Sequence, residues 1–119
     1  MDVSGAAPER LRSQASLAAL FEELVVTLQL HVIGQPQWHV FPGPAGVTGL
    51  ALLAESHLAV HTFPEHGFAA LNVYCCRTRP RPDFEALVAR HLGPGARASG
   101  PRWRATSSLK SGRGRGRQQ

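Results

Sequence analysis

Between position 13 and about position 31, apolar residues recur at steps of three and four. Leu17, Leu20, Phe21, Leu24, Val25 and Leu28 therefore share one face of a predicted helix. Gly34, Gln35 and Pro36 are expected to end it, because the residue before a proline is pushed out of the helical region and glycine tolerates the turn. Downstream the pattern becomes extended. Segments 37–41, 47–54, 57–63 and 68–76 read as strands, separated by the turn-rich run Pro42-Gly43-Pro44-Ala45-Gly46, by a break near Glu55 and Ser56, and by Pro64-Glu65-His66-Gly67. A second helix is predicted with Asp83 as its cap, carrying Phe84, Leu87, Val88 and Leu92 and stopping at Gly93-Pro94-Gly95. Residues 98–106 add a border strand, limited to the edge by Pro101. Closely spaced strands pair antiparallel, and two amphipathic helices on one face of the sheet bury both sets of apolar residues. The expected fold is an α+β two-layer sandwich over residues 1–100.

A chain of 119 residues supports one small core, so any deep site must be compact or shared between subunits. Hydrophobic residues make up 43% of it, but no apolar run approaches the roughly 18 residues of a membrane span, and no membrane association is expected. The adjacent Cys75 and Cys76 make no disulfide framework, and the opening residues lack the layout of a signal peptide. A cytoplasmic setting is the expectation. The net charge of +5 is concentrated in a Gly/Ser-rich tail, residues 101–119, which holds Arg102, Arg104, Lys110, Arg113, Arg115 and Arg117. Such a tail cannot bury enough apolar area to offset its ordering entropy and is predicted to be disordered. A solvated extension is favoured over a contact with nucleic-acid phosphates.

The segment Glu55-Ser56-His57-Leu58-Ala59-Val60-His61-Thr62-Phe63-Pro64-Glu65-His66-Gly67 crowds a serine, three histidines and two carboxylates together. As a zinc site it is weak, because on a strand His57 and His61 stand about 13 Å apart. No metal is expected. As a serine hydrolase it is also weak, since Ser56 lacks the flanking glycines of a nucleophile elbow. Taken alone, these residues are better read as those of a sheet with hydrogen-bonded histidines and a turn serine.

Residues 55 to 70, however, resemble the processing-site motif of the prokaryotic S-adenosylmethionine decarboxylases, commonly Glu-Ser-His-x-x-x-His-Thr-Trp-Pro-Glu-Tyr-Gly. Cys76 follows at the family's distance for a catalytic cysteine. Gly46-Val47-Thr48-Gly49 resembles a strand that supplies a hydroxyl, and Asp2-Val3-Ser4-Gly5 with Pro8 and Leu11 is similar to the family's opening. The resemblance implies self-cleavage between Glu55 and Ser56 into chains 1–55 and 56–119. Ser56 would become a covalent pyruvoyl group, which forms a Schiff base with a substrate amine and accepts the electrons left when carbon dioxide departs. It further implies His61 as the group moving protons in processing, Cys76 as proton donor to the product, and Thr48 as a hydroxyl that supports processing. Glu65 and Phe63 would contact substrate, with Phe63 in place of the usual tryptophan. Cys75, of opposite strand parity, is a packing residue, and His57 and His66 are ordinary loop-edge histidines. Processed protomers are expected to form a homodimer.

The sequence also departs from the family pattern. The strand usually written Asp-x-Phe-x-Cys-Gly reads Asn72-Val73-Tyr74-Cys75-Cys76-Arg77, losing a carboxylate and gaining a cation. Ala6 replaces the opening cysteine, and most of the first strand is expected to be missing, which would expose a sheet edge. S-adenosylmethionine, decarboxylated to the aminopropyl donor for spermidine, is the expected substrate. Arginine or ornithine is the alternative, and a non-catalytic regulatory homologue a third.

Overall fold

The computed structural model describes residues 1–74 and 82–99. Its elements run β1 (Asp2–Ser4), α1 (Pro8–Leu11), α2 (Gln14–Thr27), β2 (Gln37–Val40), β3 (Val47–Leu53), β4 (Ser56–Phe63), a 3-10 turn (Pro64–His66), β5 (Phe68–Tyr74), α3 (Phe84–Leu92) and β6 (Arg97–Ser99). The expected α+β sandwich is present, with one more helical turn than the periodicity shows. That turn, α1, is too short to display a period. It forms because Pro8 has no N–H to leave unsatisfied in a first turn, and because Leu11 at its end is fully buried.

Ser13 opens α2 by accepting the Ser16 amide on its hydroxyl at 3.1 Å, and Leu17, Leu20, Phe21 and Leu24 point inward as predicted. The helix stops earlier than expected. Gln29 turns left-handed at φ 55°, and the Leu30 amide returns to the Val25 carbonyl. Packing of Leu28, Leu30 and Val32 against the core draws the chain into extended form before Gly34 is reached. Asp83 caps α3 as predicted, accepting the Ala86 amide at 3.1 Å, and Glu23 of α2 ties the two helices together by pairing with Arg90 and, at 2.6 Å, with His91.

The strands form one antiparallel sheet in the order β2-β3-β4-β5-β1-β6. A three-residue opening strand is present. β1 lies inside the sheet, with Asp2 opposite Ala70 of β5 on one side and opposite Ser99 of β6 on the other. The expected border strand is present as β6, and the remainder of 98–106 lies outside the described residues, as do Cys75, Cys76, Arg77 and the basic tail.

Alternation along the central strands sends Val47, Ala51, Leu53, Leu58, Val60, Ala69 and Leu71 into one core with the helices. The outward set includes Thr48, Leu50, Leu52, His57, Ala59, His61 and Phe63. Two features fix this register. Trp38 lies across Gly49, where any side chain would strike its ring, and packs at a tilt against Phe21 with ring centroids 4.9 Å apart. Thr62 is buried and doubly bonded, accepting the Val47 amide at 2.8 Å and donating to the Leu11 carbonyl at 2.8 Å. It thereby fastens β4 to β3 and to α1. No helix among the described residues is long and apolar enough to cross a membrane.

Candidate active site

Antiparallel register places Thr48 of β3 directly opposite His61 of β4, both on the face away from the helices. Their side chains meet, Thr48 Oγ1 lying 2.5 Å from His61 Nδ1. This contact assigns one ring nitrogen to Thr48 and leaves Nε2 as the nitrogen able to exchange a proton elsewhere.

The imidazole is flanked by aromatic edges. Phe63 is 4.6 Å away by ring centroids and inclined at 74°, while Phe41 stands at 5.8 Å and 77°. Phe41 in turn meets His39 edge-on at 4.5 Å. Phe41 is anchored by its amide to the Gly46 carbonyl at 2.8 Å, and Gly46 has no room for a side chain, since a Cβ would lie 2.6 Å from the Thr62 carbonyl oxygen. Past Phe63, the 3-10 turn closed by Gly67 at φ 61° leaves Glu65 and His66 exposed. Glu65 thus stands at the same end of the β3–β4 hairpin as Thr48, His61 and Phe63.

His39 and Phe41 were not among the residues expected here. Their alternation puts both on one strand face, but which strand lies beside them is a long-range pairing that periodicity does not carry.

Ser56 is elsewhere. It pairs with Leu53 to close a two-residue loop made of Ala54 and Glu55, so the Glu55–Ser56 peptide lies in a turn at the opposite end of the hairpin. Ser56 is half-buried and shares strand parity with Leu58, Val60 and Thr62, whereas His61 has the opposite parity. Five residue steps separate the two, about 16 Å along β4. Within one chain the structure gathers Thr48, His61, Phe63 and Glu65 and leaves Glu55 and Ser56 apart from them. His57 faces the same side as His61 but lies opposite Leu52, near the Ser56 end. Cys76 lies outside the described residues. Among the described residues no group of three His, Cys, Asp or Glu side chains is placed to hold a metal ion.

Comparison with known proteins connects this arrangement to a family. The family model described as S-adenosylmethionine decarboxylase matches residues 1–99. An S-adenosylmethionine decarboxylase proenzyme of Pyrobaculum aerophilum is 37% identical over 82 residues, covering 67% of this chain and 65% of that protein. The chain thus spans slightly under two thirds of that relative's length. A proenzyme of the same name from Prochlorococcus marinus is 60% identical over a shorter stretch of 51 residues, 42% of this chain and 41% of that protein. Among solved structures, the adenosylmethionine decarboxylase of Aquifex aeolicus superposes with a TM-score of 0.61 at 28% identity, over 80% of this chain and 78% of that one. Match to the family model over nearly the whole described region, together with these relatives, shows that the chain belongs to the S-adenosylmethionine decarboxylase family.

Proposed function

We propose that this chain is the proenzyme of a pyruvoyl-dependent decarboxylase, cut between Glu55 and Ser56 into chains 1–55 and 56–119, and acting on S-adenosylmethionine to give the aminopropyl donor for spermidine. The observation that carries the reading is the Thr48–His61 contact, a positioned proton carrier in the family's processing motif.

In processing, Ser56 Oγ bonds to the Glu55 carbonyl carbon, the Glu55–Ser56 C–N bond breaks, and the hydroxyl proton passes to the Ser56 nitrogen. Loss of the Ser56 Cα proton then expels the Glu55 carboxylate, and water replaces the nitrogen, which leaves as ammonia. The location of Ser56 fits this chemistry, because the carbonyl it must attack belongs to a loop residue and not to a ladder pair. The pyruvoyl group so formed supplies a ketone conjugated to an amide, able to hold a substrate amine and take up electrons as carbon dioxide leaves.

Roles for the remaining residues follow from their positions. His61, steadied at Nδ1 by Thr48, moves protons through Nε2. Phe63 presents an aromatic ring suited to a flat base or a sulfonium, and Glu65 a carboxylate suited to a cation or to hydroxyl groups. Cys76 donates the proton that replaces the lost carboxylate, and its need for a free thiol favours the cytoplasm.

Because His61 stands about 16 Å from the Ser56 of its own chain, we assign its partner to a second protomer. A two-fold related copy laid against the open sheet face would bring the His61 end of one hairpin to the Ser56 end of the other. The same face leaves Leu50 47% and Leu52 58% exposed, an apolar area that a facing sheet would cover.

Intact mass of the purified protein and trapped carbon dioxide test the reading together. Expected are two fragments, the larger with a carbonyl-blocked N-terminus, and release from S-adenosylmethionine. A single unbroken chain removes the enzyme; release from arginine or ornithine alone removes the substrate.

A further inference from the structure

We propose that residues 31–33 form a strap that clamps the acyl side of the bond to be cut. The proposal rests on cleavage at Ser56 and deepens it. Beyond Leu50, where its pairing with β2 ends, the outer edge of β3 is taken over by these three residues. The Ile33 amide donates to the Leu52 carbonyl at 2.8 Å, the Ala54 amide donates to the His31 carbonyl at 2.8 Å, and Val32 bridges to Leu53 between them. Leu53 is therefore held from both sides, by Val32 and by Ser56.

The strap is itself fixed at its upstream end and turns at a glycine downstream. Upstream, Gln29 is left-handed and Leu30 is bonded back to Val25 of α2; downstream, Gly34 takes φ 71°, with open space around it, so conformation and not crowding calls for glycine. Val32 packs against the core while the Ile33 side chain is 47% exposed. The bonds to β3 are backbone bonds, and they end at Ala54, the residue before the acyl donor.

This placement matters to the acyl shift. Ser56 Oγ must meet the Glu55 carbonyl carbon as the C–N bond opens and its proton moves to nitrogen, so one half of the peptide has to stay still while the other turns. Ser56, the first residue of β4, carries the moving half. The strap holds the stationary half at Leu52 and Ala54, and it changes no bond of its own. After cleavage the strap still binds the end of the shorter chain, so the new Glu55 carboxylate stays with β3 while Ser56 is free to turn toward the partner's site.

The test uses full-length chain in a pulse-labelled translation, with cleavage followed on gels. Ile33→Pro deletes the donor to Leu52, and Ile33→Ala keeps it. Expected is cleavage roughly tenfold slower for the proline variant, the effect of one lost backbone bond, and a wild-type rate for alanine. Hydroxylamine, which opens esters, should not restore the proline variant, because the block precedes the ester. Cleavage of Ile33→Pro at the wild-type rate, or its rescue by hydroxylamine, overturns the strap. A wild-type chain that never cleaves removes the proposed function instead. Should Ile33→Pro fail to fold, amide exchange decides: the Ile33 and Ala54 amides are expected to be protected in both the Ser56→Ala proenzyme and the cleaved wild type, and loss of Ala54 protection on cleavage overturns the role.

Discussion

Thr48 Oγ1 sits 2.5 Å from His61 Nδ1 across the β3–β4 pair, and this contact determines which imidazole nitrogen is left for chemistry. With Nδ1 engaged, the ring cannot turn over without losing its partner, so proton exchange is confined to Nε2. Thr48→Val keeps the shape and removes the hydroxyl. Self-cleavage is expected to slow by roughly tenfold, the weight of one positioned hydrogen bond, while Thr48→Ser stays near wild type. Pulse-labelled proenzyme on gels measures both, and equal rates for valine and serine would show that Thr48 merely packs.

Thr62 tests the scaffold beneath the site. Its hydroxyl is buried and satisfies two backbone groups at once, the Val47 amide and the Leu11 carbonyl. Thr62→Val is nearly isosteric but strands both, so a loss of about 2–4 kcal/mol is expected from two unsatisfied buried groups. Thr62→Ser should retain most of the stability. Chemical denaturation with both variants in the Ser56→Ala background, which keeps the chain in one piece, measures the difference.

The residues show why some of this could be read in advance. The α2 and α3 faces and the cap at Asp83 are local signals and are found as predicted, whereas the Ser13 cap of α2 is seen only in the structure. The end of α2 is not, because packing of Leu30 and Val32 against the core overrides the glycine and proline that follow. Thr48, His61, Phe63 and Glu65 could be named from their motifs, and strand parity puts His61 and Phe63 on one face. Their separation from Ser56 follows from the same parity and the rise per residue, yet the motif names all of them together because a family pattern records order along the chain and not distance in space. His39 and Phe41 beside His61 depend on β2 pairing with β3. That pairing is long-range information.

Glu23 should impose an acid limb on stability. Hydrogen bonds from Arg90 and then His91 hold its carboxyl below the ordinary value of 4.5. Asp83 also acts on Arg90, and Arg10 of α1 reaches the Arg90 and His91 carbonyls at the end of α3. A carboxylate with a depressed folded-state pKa contributes stability that is fully present above its unfolded value and is lost as pH falls through the folded one. The melting temperatures of wild type and Glu23→Gln are therefore expected to differ at neutral pH and to draw together as pH falls below 4.5, through the depressed folded-state value. Thermal scans of both proteins from pH 3 to 7 check this, and a constant gap across that range would mean that the carboxylate charge contributes nothing.

The separation of Ser56 from His61 makes a sharper prediction when two defective chains are mixed. A Ser56→Ala chain cannot be cut but carries a working His61, while a His61→Ala chain can be cut but lacks the proton carrier. If each His61 serves the other protomer, either variant alone stays whole. In a mixed dimer one of the two sites is complete, made of Ser56 from the His61→Ala chain and His61 from its partner. Co-expression with tags of different length is then expected to cut only the His61→Ala chain, about half of it when expression is equal and pairing random. Cleavage of His61→Ala by itself would show that His61 is dispensable. If both chains stay whole although pull-down through one tag recovers the other, the site is not shared, and the proton carrier must reach Ser56 within its own chain.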